Sequence, residues 1–227
     1  VADNIIGGNL RHYKGAINSA IAKIFDITVA TTGMAEKFLK KSGIPVISNI
    51  THSGSHAGYY PGAFPMTLKI VFDPKTGKLY GAQAVGVAGV DKRIDVIAAI
   101  IGAGGSVFDL QETELCYAPP YSSAKDPVNI AGYAAQNIIE GKVKPITLKE
   151  LSSIDSREVF LLDVRTPEEN ALGSIEGSVN IELDQLRKEI ARVPKDKKIV
   201  VYCAVGLRGY FASRILLQSG FENVFNL

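Results

Sequence analysis

Apolar positions follow two different rhythms along the chain, and the change between them divides it. Asp26-Ile27-Thr28-Val29-Ala30-Thr31-Thr32-Gly33 is rich in β-branched residues and predicts a strand. A short helix over 35–41 should end at Gly43, and a second strand should follow Pro45 over 46–52. Leu68, Ile70 and Phe72 fall on one face of a strand over 67–72. Asp73-Pro74-Lys75-Thr76-Gly77-Lys78 reads as a turn, and 79–85 returns as the antiparallel partner. The period then becomes helical. Ile94, Ile97, Ala98 and Ile101 share a face, with Asp91 as the expected cap. Ser106 opens a short helix through Leu110, and Asp126 with Pro127 starts one that stops at Gly141. Beyond 147 the rhythm alternates. Strands are expected at 159–164, 179–181, 199–202 and from Val224, with helical stretches at 167–171, 184–192 and 209–219, the last turning Phe211, Ile215 and Leu216 toward a core. Thr166-Pro167-Glu168-Glu169 is a capping box with proline at the first helical position. Together these patterns predict an α+β domain over 16–141, an antiparallel sheet with helices beside it. A linker follows at 142–147, and 148–227 form an α/β domain with a parallel, doubly wound sheet.

Composition narrows the function. The chain has 227 residues, and the 46% apolar fraction is ample for a core. A net charge of only +2 gives no argument for nucleic acid or a membrane surface as partner. The apolar stretch at 94–101 is too short to span a bilayer. Cys116 and Cys203 stand far apart with no CxxC, which suits a reducing, cytoplasmic compartment and argues against a disulfide scaffold. His52 and His56 flank a glycine-rich loop without a third ligand, so no metal site is expected. The sequence opens at Val1 inside an expected helix over 1–8 and stops at Leu227 as a strand begins. It therefore reads as a piece of a longer protein, with 1–15 the remnant of a preceding helix and connector.

The strongest chemical signal is Cys203-Ala204-Val205-Gly206-Leu207-Arg208-Gly209, between the apolar run Lys198-Ile199-Val200-Val201-Tyr202 and a helix. A strand-to-helix turn can converge its backbone N–H groups on one point, and the helix dipole adds positive potential there. Arg208 adds more, and a thiol in that field is favoured as thiolate. A buried structural cysteine ending a strand is the alternative. Cys116 has no base or charge spaced to activate it and reads as structural.

Cys203-x-x-Gly206-x-Arg208 after that strand resembles the active-site loop of rhodanese domains. Leu161-Leu162-Asp163-Val164-Arg165-Thr166-Pro167-Glu168-Glu169 and Gly173-Ser174-Ile175-Glu176-Gly177-Ser178-Val179-Asn180-Ile181 resemble two further segments of that family. Ser174 and Glu176 replace the histidine and proline usual there. The resemblance covers about 148–227, implies Cys203 as nucleophile and Arg208 beside it, and makes the amides of Ala204, Val205, Gly206, Leu207 and Gly209 the anion cradle. Asp163 and Arg165 would brace the core. Cysteine phosphatases and arsenate reductases use a related loop one residue longer. A docking module without activity is a third possibility.

Residues 16–141 resemble the dimerisation domain of FAD-dependent pyridine-nucleotide disulfide oxidoreductases, nearest the coenzyme A-disulfide reductase branch, including forms fused to a rhodanese domain. The segments that carry this are 24–33, Tyr59-Tyr60-Pro61-Gly62, 91–96 and Tyr117-Ala118-Pro119-Pro120-Tyr121 through Asn129. The resemblance implies a homodimer, a flavin domain before Val1, and a parent enzyme that uses FAD, NAD(P)H and CoA on small thiol or persulfide substrates. It also implies that Tyr59 and Tyr117, with Tyr60 an alternative to Tyr59, reach a neighbouring active site. The chain contains no Gly-x-Gly-x-x-Gly, so no dinucleotide is expected on these residues.

Overall fold

The computed structural model describes residues 2–8, 12, 13 and 15–227. It opens with helix α1 (Ala2–Ile6); Val1 and several positions of the expected 1–15 remnant lie outside the described residues.

Five strands form the first sheet: β1 (Ala20–Ile24), β2 (Ile27–Gly33), β3 (Ile47–Gly54), β4 (Pro65–Phe72) and β5 (Leu79–Gly86), in the order β1-β2-β5-β4-β3 and antiparallel throughout. Strand β1 had no counterpart in the sequence reading, because its residues are all exposed and carry no buried face to signal it. It is held by its tight hairpin to β2, where Ile24 pairs with Ile27 and Phe25 takes φ +53°. Helix α2 (Glu36–Lys41) connects β2 to β3.

Helices α3 (Val90–Gly102), α4 (Val107–Glu112) and α5 (Pro127–Ile139) pack on one face of this sheet. Met66, Leu68, Ile70 and Phe72 of β4 alternate into that core with Ala82 and Ala84 of β5, against Ile94, Ile97, Leu110, Val128 and Ala131. The opposite face leaves Ile24, Ile27, Val29, Ile50 and Val85 exposed.

The caps are as the sequence predicts for α4 and α5, where Ser106 and Asp126 each complete a capping box. For α3 the expectation fails: the cap is Gly89, at φ +69°, and Asp91 sits in the first turn. Only glycine fits at 89, because a Cβ there would lie 2.2 Å from the Arg93 guanidinium.

The second unit begins with helix α6 (Leu148–Leu151) and carries strands β6 (Val159–Asp163), β7 (Val179–Asn180), β8 (Lys198–Tyr202) and β9 (Val224–Asn226) in the parallel order β7-β6-β8-β9. Helices α7 (Pro167–Ala171) and α8 (Leu207–Gln218) follow β6 and β8. The helix expected over 184–192 is instead a run of turns, most of them closing over three residues, that ends in a short 3₁₀ segment, Ile190–Arg192. Leu183, Leu186 and Ile190 pack on the core, but the backbone closes bonds such as Leu186 N to Leu183 O at 3.2 Å. Phe211 is exposed rather than in the core and tilts against Tyr210; Ala212, Ile215 and Leu216 are buried.

Residues 142–147 do not hang free between the units. Val143 and Ile146 are buried, and the segment runs along β9 through Asn226 N to Lys144 O and Ile146 N to Asn226 O, each 2.9 Å. Arg214 of α8 donates to the Lys142 carbonyl at 2.8 Å.

Candidate functional site

Strand β8 is central in its sheet, and four of its five residues are buried. Cys203 follows it directly and is half-buried. The chain then turns over exposed Ala204 and Val205 to Gly206, the N-cap of α8 at φ +89°. The turn before it aims the Gly206 N–H at Cys203 Sγ, 3.1 Å away, and the left-handed glycine then leads the chain into α8. Leu207 is exposed, Arg208 half-buried and Gly209 buried in the first turn of α8. The sulfur thus faces the amino end of a helix, where the dipole favours negative charge.

Arg208 is not free in the loop. Its two terminal nitrogens meet the Glu169 carboxylate at 2.6 and 2.7 Å. That fork, first among several donors, holds Glu169 down to about 2, and the same contact pushes Arg208 above its ordinary range. Cys203 pushes Arg208 in the same direction, as a lesser cause. Glu169 is the third residue of α7 and closes its capping box, accepting from the Thr166 amide at 3.0 Å. The sequence signalled the cap but not the partner.

Beneath the loop lies a second polar cluster. Asp163, fully buried at the end of β6, accepts two nitrogens of Arg165 and the Asn170 amide. Burial pushes its carboxyl up, but these donors outweigh burial and the net shift is downward. Arg165 donates on to Gly173 O at 2.7 Å and lies over the Tyr202 ring. Tyr202 accepts from Ile175 N at 3.2 Å, so both sides of Ser174 are tied to the core.

The tyrosines form a separate feature. Tyr59 and Tyr117, both exposed, touch through their hydroxyls at 3.3 Å. That hydrogen bond pushes the Tyr59 phenol above its ordinary range. Tyr60 turns away and meets His56 edge-on. The two loops hang on a buried ion pair, Arg93–Asp126, at 2.8 Å. Arg93 also donates to Ser55 O at 2.8 Å, and Ala57 N donates to Ser122 O at 3.1 Å. Arg93 appeared in the sequence only as part of a resembling segment. No hydrogen bond or ring contact among the described residues joins this pair to the Cys203 loop. Cys116, expected to be structural, is exposed. Among the described residues no cluster of metal-ligating side chains occurs, and no helix is long and apolar enough to cross a membrane.

Comparison with known proteins agrees with this division. Residues 19–127 match the pyridine nucleotide-disulphide oxidoreductase dimerisation domain, and 147–227 match the rhodanese-like domain. The crystal structure of reduced Bacillus anthracis CoADR-RHD is 50% identical over all of this chain, which covers 40% of it, with a TM-score of 0.95. An NAD-dependent persulfide reductase from A. fulgidus is 38% identical over 98% of the chain and 40% of its own, with a TM-score of 0.86. The coenzyme A disulfide reductase of Staphylococcus epidermidis is 41% identical over 136 residues, 60% of this chain and 31% of that protein. The chain therefore spans 31% to 40% of the length of these relatives. It joins a pyridine nucleotide-disulphide oxidoreductase dimerisation domain to a rhodanese-like domain.

Proposed function

We propose that the second unit transfers sulfur through a persulfide on Cys203. The carrying observation is the Gly206 N–H aimed at Cys203 Sγ, 3.1 Å away, at the start of α8. A thiolate there attacks the outer sulfur of thiosulfate. The new bond is Cys203 Sγ–S, the sulfur–sulfur bond of thiosulfate breaks, and sulfite leaves with its electron pair. The terminal sulfur carries the negative charge, and the loop amides of Ala204 to Gly209 cradle it. An acceptor thiolate or cyanide then attacks that sulfur, and Cys203 leaves as thiolate.

Because Glu169 already engages both terminal nitrogens of Arg208, the guanidinium serves this reaction by bracing α7 against the loop rather than by gripping the donor. The shorter loop, with four residues between Cys203 and Arg208, suits a sulfur anion better than a tetrahedral phosphate.

The wider role we infer is in an FAD- and NAD(P)H-dependent reductase of coenzyme A disulfide or persulfide, as the names of the relatives suggest. The strand-to-helix turns of this chain hold no Gly-x-Gly-x-x-Gly, so FAD and NAD(P)H have no pyrophosphate cradle in these residues. Their sites would belong to the rest of such an enzyme. The first unit would form a homodimer through the exposed apolar row Ile24, Ile27, Val29, Val85 and Ile50, with Tyr59 and Tyr117 offering phenol protons to a neighbouring subunit's thiolate. A free thiol at Cys203 and an exposed one at Cys116 suit a reducing, cytoplasmic setting.

The test is thiosulfate challenge followed by intact mass. One added sulfur, absent in Cys203→Ser, is expected; no added sulfur in the unsubstituted chain, or loading that survives Cys203→Ser, would overturn the reading. Measurable turnover of an aryl phosphate would favour the phosphatase alternative. A gel-filtration mass of a monomer would remove the proposed dimer.

A further inference from the structure

Asn226, at the end of β9, touches the loop that the persulfide reading depends on. Its Nδ2 donates to the Gly206 carbonyl at 3.2 Å. That carbonyl also accepts the first hydrogen bond of α8, from Tyr210 N at 2.8 Å. The other end of the same residue is the N–H that meets Cys203 Sγ. Gly206 stands at φ +89° and its neighbours Ala204 and Val205 are exposed, so nothing intrinsic to its backbone fixes the peptide.

The orientation of the Asn226 amide follows from chemistry. Nδ2 faces a carbonyl oxygen that needs a donor; turning the amide over would set oxygen against oxygen. The cost is at Oδ1, which is buried and has no partner among the described residues. Oδ1 sits where a Cβ on Gly209 would fall, 2.1 Å away. This explains the glycine at 209: the side chain of Asn226 occupies its space.

Asn226 is also fixed from behind. Its N–H and C=O bond the segment entering from the first unit, at Lys144 and Ile146, and Leu227 N donates to Val201 O at 3.0 Å on β8. Resting on the sulfur-transfer reading above, we propose that Asn226 is a positioning residue for the sulfur site: it holds the Gly206 carbonyl, across the Gly206 Cα from the N–H on Cys203, so that the glycine cannot pivot and this N–H stays aimed at Cys203 and at the anion formed there.

Site-resolved alkylation of the full chain by iodoacetamide across pH tests this, with exposed Cys116 as the internal reference. Asn226→Ala removes the clamp. Alkylation of Cys203 is expected to slow about threefold or more, because the sulfur loses a fixed donor. Sulfur loading from thiosulfate should slow about tenfold, with Cys116 unmoved. Asn226→Asp keeps the shape but sets an acceptor against the Gly206 carbonyl, and its effect should be larger. Folded variants with both readouts within about twofold of the unsubstituted chain would overturn the proposal. Should both variants fail to fold, the intact protein answers. Alkylating Cys203 should shift the NMR signals of the Gly206 amide and the Asn226 side-chain amide together, and a Gly206 shift with Asn226 stationary would overturn the clamp. Alkylation needs no sulfur donor, so failure of thiosulfate loading in the unsubstituted chain would sink the persulfide reading and leave this test standing.

Discussion

Cys203 and the amide that meets its sulfur lie 3 positions apart, whereas Tyr59 and Tyr117 touch across 58. The first arrangement is made by the local path of the chain: a buried strand ends, a glycine takes a left-handed turn, and a helix starts. The second is made by two loops whose relative position depends on Arg93, Asp126 and the Ala57–Ser122 backbone bond. A local site keeps its geometry as long as its own turn survives. A site assembled from distant loops keeps it only as long as the buried group between them survives.

Arg93→Met breaks this comparison hardest. It strands the Asp126 carboxylate in the core, which also caps α5, and should cost about 3–5 kcal/mol of stability in denaturant unfolding. It should separate Tyr59 from Tyr117 yet leave the alkylation rate of Cys203 unchanged in the folded protein. A change at both sites would show the two regions to be coupled.

Gly209→Ala sharpens the local side. The new methyl would collide with Asn226 Oδ1, an overpacking cost of about 1–3 kcal/mol. In an Asn226→Ala background the same change should turn neutral or stabilising by up to about 1 kcal/mol, since alanine is the better helix former. Thermal unfolding of the two single variants and the double variant measures this directly.

The Glu169–Arg208 fork predicts a pH dependence. Glu169 is held at about 2 against an ordinary 4.5, so the unfolded chain binds the extra proton between those values. Its contribution is complete above 4.5 and is lost as pH falls toward 2. Glu169→Gln should flatten that part of the acid-unfolding curve.

The smallest effect belongs to Tyr117→Phe. Both phenols are exposed, so stability should stay within about 0.5 kcal/mol. A phenolate difference titration should show the Tyr59 phenol returning downward to its ordinary range.

Much of the architecture was legible because burial leaves a periodic trace. Leu68, Ile70 and Phe72 signalled β4, and Asp126-Pro127 marked the start of α5. Strand β1 was not legible, since every residue in it is exposed. The turns over 184–192 were misread because apolar spacing reports which side chains are buried, not whether bonds close at three residues or four. At the candidate site, Cys203, Gly206 and Arg208 stood out because a turn places chemistry at fixed offsets. The fork from Glu169 to Arg208 was hidden because its partners lie 39 positions apart.

By itself, the sequence determined which segments bury their apolar faces, where α5 and α7 begin, and that a thiol stands between a buried strand and a helix. These follow from dihedral preferences and spacing within a few residues. Tertiary structure alone decided that Arg93 holds two loops together, that Glu169 occupies Arg208, and that Asn226 fills the space a side chain at 209 would need. Those contacts depend on how distant segments pack, and pairwise distance across a fold leaves no fixed offset in the chain.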